Sequence, residues 1–263
     1  MLPKVLVTRP TSQAQPLMVA LSEAGFDPIA QPFIKIQLFN QSSKSNLVDR
    51  IRSTLAKIEQ YDACIFISTN ACDGFIYWLG LQHLSRLKSI RCFAIGHATC
   101  ARLKHYGVNS VLTSQAMNSE ALLELDELKT VKNKRILIVR GEGGRNYLRN
   151  VLQQREATVD YLEVYRRQKL QYNSPVLQPI LALGLTMVMI SSEETLLQLL
   201  EQANLENIKK ELQRLPLIVS SQRLSESAKS AGFHHIYLAA NAGVEAMVEA
   251  TQIYGKLRNN NND

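Results

Sequence analysis

Short apolar runs alternate with amphipathic segments along the whole chain, and no other sequence feature constrains the fold as strongly. The run Val5-Leu-Val7 comes first, and a segment with Leu17 and Leu21 on one helical face follows it before Gly25. This alternation of predicted strands and helices is typical of parallel sheets covered by helices. We therefore predict the α/β class. The pattern contains about ten strands, which is at the upper limit for one twisted open sheet, so two sheets are expected.

The apolar runs also give the expected positions of the elements. Strands are predicted at 5–8, 34–38, 108–112, 135–139, 159–165, 187–190, 217–220 and 235–238, with two more that begin at Cys64 and Cys92. Segments 34–38 and 159–165 alternate apolar and polar residues as half-exposed strands do, so we expect them to connect two lobes. Helix starts are expected at Ser12, at Asn118 or Ser119 with a helix through Leu128, and at a Ser191-x-x-Glu194 capping box.

Composition narrows the class of partner. Lys and Arg total 30 against 23 for Asp and Glu, a formal net charge of +7. This excess favours anionic partners. No block of cations, no aromatic-interleaved basic face and no zinc-finger spacing is present, so we expect a small polyanionic molecule and not a nucleic acid.

Several common kinds of site find no support in the sequence. The four cysteines form no CxxC pair and are expected to be buried reduced thiols. The histidines have no metal-ligand spacing, and HExxH and Gly-x-Ser-x-Gly motifs are absent, which argues against metalloenzyme and hydrolase chemistry. Met1 runs directly into an apolar strand without room for a signal peptide, and the apolar stretch 179–190 is too short to span a bilayer. We expect a cytoplasmic protein that does not enter membranes.

The turn Gly141-Glu-Gly-Gly-Arg145 follows a strand and opens a helix. Its amides could hold an anion, with Arg140 and Arg145 adding charge. It is not a dinucleotide fingerprint, because Asn146 stands where a third glycine is required and no Walker lysine follows. A glycine-rich turn that only lets the chain bend is the other interpretation.

Other strand-to-helix turns carry small hydroxyl or amide residues, and they include Thr8-Arg9-Pro10, Ser68-Thr69-Asn70, Gly96-His97-Ala98-Thr99, Ser191-Ser192 and Ser220-Ser221-Gln222-Arg223. Ligands of open parallel sheets bind outside the carboxyl ends of the strands, where these turns are expected. Each turn alone is explained as a helix cap. Together they predict a polar cleft suited to many carboxylates. His97 is either a group in this cleft or an exposed turn residue, and Tyr165 either enters it or is an edge tyrosine.

In order and spacing, these motifs resemble the uroporphyrinogen-III synthase family over nearly the whole chain. The matching elements are 5–10, 65–71, 94–99 with Gly107, 141–145, 164–167, 191–192 and 228–233. The resemblance implies two flavodoxin-like, doubly wound domains joined by a two-stranded ladder, the second domain inserted into the first. The implied ranges are 1–34 with 170–263 for the first domain, 40–165 for the second, and 35–39 and 166–169 for the connecting strands.

The resemblance also implies a function. Members cyclise hydroxymethylbilane to uroporphyrinogen III, with loss of water and inversion of the last ring, in porphyrin and haem biosynthesis. The implied protein is a monomeric lyase without metal or organic cofactor that contacts the upstream hydroxymethylbilane synthase transiently. Tyr165 matches a tyrosine proposed to assist departure of the hydroxyl. The expected substrate-binding residues are Arg9, Ser68, Asn70, Thr99, Arg140, Gly141, Gly144, Arg145, Ser191, Ser192, Ser221 and Arg223.

Two other functions stay open at the level of sequence. One is a bilobed module that binds a small anion, or regulates, without catalysis; the missing export signal argues against a periplasmic receptor. The other is a two-lobed nucleotide-sugar transferase, which should show an acidic nucleotide contact and a better phosphate loop. The turn 220–223 also departs from the Gly-x-Thr pattern of some family members, which leaves its substrate contact open.

Overall fold

The structure, a computed structural model, describes residues 2–114 and 118–260. Its contacts divide the chain into two compact units. The first unit is Met1–Lys35 with Gln168–Asp263, and the second unit is Ile36–Arg167. Both divisions fall within the segments expected to connect the lobes. The domain ranges given above stay predictions, and positions 1 and 261–263 of the first range lie outside the described residues.

Eleven strands occur in the described residues. They are β1 Lys4–Val7, β2 Asp27–Ala30, β3 Ile34–Leu38, β4 Ala63–Phe66, β5 Arg91–Ala94, β6 Val111–Thr113, β7 Arg135–Gly141, β8 Thr158–Lys169, β9 Leu185–Ile190, β10 Leu217–Val219 and β11 Ile236–Leu238. Short 3₁₀ helices lie at Ile58–Gln60 and Leu81–Leu87. The α-helices are α1 Thr11–Glu23, α2 Ser45–Ala56, α3 Thr69–Leu79, α4 His97–His105, α5 Ser119–Leu123, α6 Asp126–Lys129, α7 Tyr147–Gln154, α8 Leu177–Ala182, α9 Glu193–Leu205, α10 Lys209–Gln213, α11 Gln222–Ser230 and α12 Val244–Asn260.

The first unit contains a five-stranded parallel sheet in the order β2-β1-β9-β10-β11. Counted along the chain within this unit, the order is second, first, third, fourth, fifth, which is the flavodoxin order. Leu6 and Val188 point into one core with α9 and α11, whereas Val5 and Met187 point into another with α1 and α12. Helices therefore cover both faces of this sheet.

The second unit contains a six-stranded sheet in the order β3-β8-β7-β4-β5-β6. Strands β4 to β8 are parallel to their neighbours. Read from β6 to β8 and numbered along the chain from β4, their order is third, second, first, fourth, fifth, which is the other common doubly wound order. Leu137 and Val139 enter one core with α2 and α3, and Ile136 and Ile138 enter the opposite core with α5 to α7. The prediction of two doubly wound α/β units is confirmed; the flavodoxin order itself holds in the first unit only.

Strands β3 and β8 are hydrogen-bonded neighbours at one edge of the six-stranded sheet. The amide of Phe39, just after β3, donates to the carbonyl of Val164 in β8 at 2.9 Å. Both strands thus belong to a larger sheet in this structure. A separate two-stranded ladder is not confirmed.

Three predicted helix features are wrong in detail. Helix α1 begins after Pro10, which forms no side-chain cap, so Ser12 lies inside the first turn instead of capping it. The cap of α9 is Ser192 and not Ser191, because the Ser192 hydroxyl accepts from the Thr195 amide. The helix expected from Asn118 through Leu128 is two helices, since Leu125 between α5 and α6 adopts an extended backbone.

Two strand predictions also need correction. The strand expected at 108–112 occupies Val111–Thr113 instead. Strand β2 is absent from the predicted set, because its four residues include Pro28.

The buried reduced thiols are confirmed: Cys64, Cys72, Cys92 and Cys100 are all free and buried. Among the described residues, no helix combines the length and the apolar character that crossing a membrane requires.

Candidate functional site

The order of the first sheet reverses between β1 and β9, the point at which open α/β sheets bind ligands outside the carboxyl ends of their strands. The turns after these two strands contain Arg9 and the pair Ser191-Ser192. Thr8 is fully buried and its hydroxyl donates to the carbonyl of Met189 in β9 at 2.7 Å. This hydrogen bond holds the ends of β1 and β9 together at the carboxyl edge.

Arg9 carries the charge at this edge. Its Nη2 donates to the carbonyl of Ala242 at 2.5 Å, and burial lowers the pKa of its guanidinium. No carboxylate within the described ranges forms an ion pair with it. A half-buried cation that contacts only a neutral carbonyl gains from an anionic ligand, because its burial is not compensated by an opposite charge.

Two serines begin the helices that follow β9 and β10. The Ser192 hydroxyl accepts from the Thr195 amide at 3.2 Å, and the Ser221 hydroxyl accepts from the Leu224 amide at 3.3 Å. The carbonyl of Ser191 accepts from the hydroxyl of Ser220 at 3.1 Å. These turns lie where the sequence predicts them, but the hydroxyl groups of Ser192 and Ser221 already serve as helix caps.

Arg223 is exposed and faces an acid. Its Nη2 lies 3.7 Å from a carboxylate oxygen of Glu193, and the hydroxyl of Ser227 donates to the other Glu193 oxygen at 3.2 Å. The charge of Arg223 is therefore partly balanced within the first unit. Arg9 is the better anion contact of the two.

The second sheet reverses its order between β4 and β7, and Tyr165 lies at this reversal. Its hydroxyl is 3.1 Å from the hydroxyl of Ser68, which also accepts from the Ala71 amide and caps α3. Tyr165 is only 1% exposed. A Cβ atom at Gly141 would lie 2.6 Å from the Tyr165 ring, so the absence of a side chain there makes room for the ring. The phenol is held by Ser68 on one side and the β7 turn on the other.

The polar residues in the neighbouring turns divide by exposure. Asn70 is half-buried in the first turn of α3, and His97 is exposed at the start of α4. Thr99 was expected in a turn that faces the substrate. It lies within α4 and is buried, and its carbonyl accepts from the Cys72 thiol at 3.8 Å. That expectation about the position of Thr99 is corrected, because the helix starts two residues earlier and turns this side chain inward.

The two arginines of the glycine-rich turn have different surroundings. Arg140 is buried, and its guanidinium donates to the carbonyls of Gly141 and Arg145 at 3.1 and 3.2 Å. Gly144 has φ +89°, and a Cβ atom there would lie 2.6 Å from Nη2 of Arg140. Arg140 therefore holds the turn from inside, whereas Arg145 is exposed at its end.

Tyr161, in β8, contacts this turn and is absent from the residues predicted from the sequence. The Arg140 guanidinium carbon lies 4.5 Å from the centre of the Tyr161 ring, and the Tyr161 hydroxyl donates to Asn146 at 3.2 Å. The alternation of side chains in β8 could have identified it. Position 163 pairs with Arg140, and position 161 lies two residues away on the same face of the strand. In the part of the chain that the structure describes, no cluster of three His, Cys, Asp or Glu side chains could hold a metal ion.

The sequence of the chain matches the model of a known family. The model described as uroporphyrinogen-III synthase HemD matches residues 15–249. The chain belongs to the uroporphyrinogen-III synthase family. Uroporphyrinogen-III synthase of Escherichia coli K12 is 30% identical over 250 residues, which cover 94% of this chain and 99% of the relative. The synthase of Salmonella typhimurium LT2 is 31% identical over 254 residues, with the same coverage.

A solved structure from the uroporphyrinogen-III synthase family shares this fold. A mutant uroporphyrinogen III synthase from the extremely thermophilic bacterium Thermus thermophilus superposes with a TM-score of 0.62 at 14% identity, over 96% of this chain and 98% of that one. The family prediction is confirmed, and with it the prediction of a lyase of porphyrin biosynthesis. The alternative of a binding or regulatory module without catalysis is not favoured.

Proposed function

We propose that this chain converts hydroxymethylbilane, a linear tetrapyrrole with two carboxylate arms on each pyrrole, into uroporphyrinogen III. The reaction removes water and inverts the last ring. One observation carries the assignment of the site: the Tyr165 hydroxyl meets the Ser68 hydroxyl at 3.1 Å where the second sheet reverses its order, in a chain that matches the family model over residues 15–249. When the Ser68 hydroxyl donates to the phenol oxygen, the single phenol proton stays available for a departing oxygen.

The first step breaks a carbon–oxygen bond. The nitrogen of the pyrrole that carries the hydroxymethyl group supplies electrons, the hydroxyl takes one proton from the medium and leaves as water, and a cationic, electrophilic methylene remains. Tyr165 assists by donating a hydrogen bond to the departing oxygen, with Ser68 orienting the phenol. The leaving group departs readily once the nitrogen donates, so orientation contributes more than acid strength.

The second step inverts the ring. The methylene carbon bonds to the already substituted carbon of the last pyrrole, which gives a spiro intermediate. The bond from that carbon to its original bridging methylene then breaks, and the methylene bonds to the free position on the other side of the ring. Loss of a proton there restores the pyrrole. The protein must exclude water while the electrophilic carbons exist.

The expected binding residues are those that would contact the carboxylate arms of the substrate or shape the turns around them. Arg9 at the edge of the first sheet and Arg145 at the edge of the second are the charged contacts, because neither has an acidic partner in the described ranges. Ser191, Ser192, Ser221 and Asn70 contribute turns whose amides can reach carboxylates. Gly141, Gly144 and Arg140 shape the turn that precedes α7, and Thr99 supports α4 from within. A cytoplasmic location, a monomeric state and transient contact with the upstream synthase are part of the proposal.

The test is an isomer analysis. Purified protein is mixed with freshly generated hydroxymethylbilane, and the products are oxidised and separated by chromatography. We expect the type III isomer at a rate that scales with protein concentration and that exhaustive chelation leaves unchanged. The control is heat-denatured protein, which should give only the uninverted type I isomer. Type I alone from the folded protein would contradict the proposed function.

A further inference from the structure

A second guanidinium contacts the Tyr161 ring. The guanidinium carbon of Arg149, in α7, lies 5.0 Å from the ring centre, and that of Arg140 lies at 4.5 Å. Tyr161 is half-buried against the core that also contains Leu148 and Leu152 of α7. The Tyr161 ring, whose hydroxyl reaches Asn146 after the glycine-rich turn, therefore positions two cations through contacts of the cation–π type.

Within the described ranges, these two cations have no acidic partner. Arg140 donates only to main-chain carbonyls, and the Nε atom of Arg149 is buried without a hydrogen-bond partner in the described part of the protein. The neighbouring acid, Glu163, lies 3.5 Å from Arg50 and accepts the amide of Gly143 at 3.4 Å. No acidic side chain of the described residues balances the positive charge around Tyr161, so this charge is available to an anionic ligand.

We infer that Arg149, held against Tyr161, binds a carboxylate arm of the ligand. The inference rests on the proposed function and extends it to a residue outside the glycine-rich turn. A guanidinium presents a planar fork that matches the two oxygens of a carboxylate. The ring fixes the guanidinium before the ligand arrives, so little side-chain freedom is lost on binding. Arg149 is not fully buried, so part of its side chain reaches the surface.

The first test separates binding from turnover. For Arg149→Ala we expect KM for hydroxymethylbilane to rise about 10-fold while kcat changes less than about 2-fold, because a charge-assisted bond present in ground and transition states contributes to both. Arg149→Lys keeps the charge without the planar fork and should raise KM about 3-fold. The matched control is Arg91→Ala, which removes one exposed arginine from the amino end of the same sheet. KM equal to that of the control, or a loss confined to kcat, would overturn the inference.

The second test does not depend on catalysis. The Nε–H resonance of Arg149, assigned by its absence in Arg149→Lys, is followed during titration with glutarate. A saturable shift at Arg149, absent at Arg91, supports a carboxylate subsite even if the isomer analysis yields only type I. A resonance that does not move, or that moves linearly like that of Arg91, overturns the inference even if type III is formed. Circular dichroism confirms that each variant is folded.

Discussion

Tyr165 is the residue whose surroundings define the candidate site most closely. Its ring lies against Gly141, where any side chain would overlap it, and its hydroxyl contacts Ser68. The glycine at 141 is thus explained by the aromatic ring as well as by the bend of the chain. A tyrosine fixed from two sides can place its hydroxyl with little loss of entropy on binding.

We expect Tyr165→Phe to slow type III formation by about 10- to 100-fold without abolishing it, because one neutral hydrogen bond to the departing oxygen is lost. Phenylalanine keeps the ring against Gly141, so the comparison isolates the hydroxyl. Initial rates and isomer ratios at saturating substrate provide the measurement.

The control for this prediction is Tyr61→Phe, which removes a hydroxyl that donates to Asp160 at 2.9 Å. Tyr61 lies before β4, at the other end of the same sheet, so its loss should leave the rate unchanged. If a folded Tyr165→Phe variant matched wild type in rate and isomer ratio, Tyr165 would have no part in the reaction.

The sequence predicts the turns of the site better than the roles of their side chains. The sequence predicts the same role for Arg140 and Arg145, which is to add positive charge to the glycine-rich turn. In the structure Arg140 is buried and Arg145 is exposed. The difference arises because Arg140 lies on the face of β7 that also carries Ile136 and Ile138, where it meets Tyr161, which is distant in sequence. A contact of this kind depends on the register of β8 against β7, which a local pattern does not contain.

At the scale of elements, a single carboxylate joins two helices of the first unit. Glu206, just after α9, accepts the amides of Val176, Leu177 and Gln178 at the start of α8, at 2.7–3.1 Å. Burial alone raises the pKa of Glu206, but hydrogen bonds from Gln202 and these amides outweigh it and lower the pKa. The side chain is 5% exposed, so water contributes little to its solvation.

We expect Glu206→Gln to reduce the local stability of α8 by about 2 kcal/mol near neutral pH, because an amide oxygen replaces a carboxylate that satisfies several donors. Because the pKa of Glu206 is lowered in the folded protein, its carboxylate contributes full stability above the ordinary glutamate pKa of about 4.3. This stability is lost as pH falls through the pKa of the folded state. The difference between the two proteins should therefore shrink in acid.

Hydrogen exchange of a peptide that spans 176–178 measures this effect. The control is Glu201→Gln, an exposed acid of α9 that accepts from Gln198. Equal protection in Glu206→Gln and wild type near pH 7 would show that α8 does not depend on this carboxylate.

Most elements follow from the alternation of apolar runs, and the exceptions have physical causes. Strand β2 escapes prediction because Pro28 lacks an amide donor, but β2 is an edge strand that pairs only with β1, where proline is tolerated. The break at Leu125 escapes prediction because Leu122, Leu125 and Leu128 are spaced by three residues. Residues three apart lie on the same face of a helix, so the spacing predicts one continuous helix, although the backbone at Leu125 is extended.

At the scale of the whole molecule, the net charge of +7 predicts a salt effect on substrate capture. Between ionic strengths of about 0.02 and 0.2 M, the screening length falls from about 20 to about 7 Å. We expect KM for the polyanionic substrate to rise about 3- to 10-fold over this range, with kcat changed less than about 2-fold. Steady-state kinetics in sodium chloride check this. A salt-independent KM would show that charge contributes little to binding.

All four cysteines of the chain lie in one core of the second unit, and the first unit has none. Burial also raises the pKa of Cys92 to about 11, which keeps its thiol protonated and slow to react. A thiol reagent added in pulses during denaturation would therefore label the chain only when the second unit opens. Labelling of the native cysteines therefore reports the unfolding of the second unit alone. The first unit, which contains Arg9 and Glu206, is not labelled and can be given a single engineered cysteine to report its own unfolding.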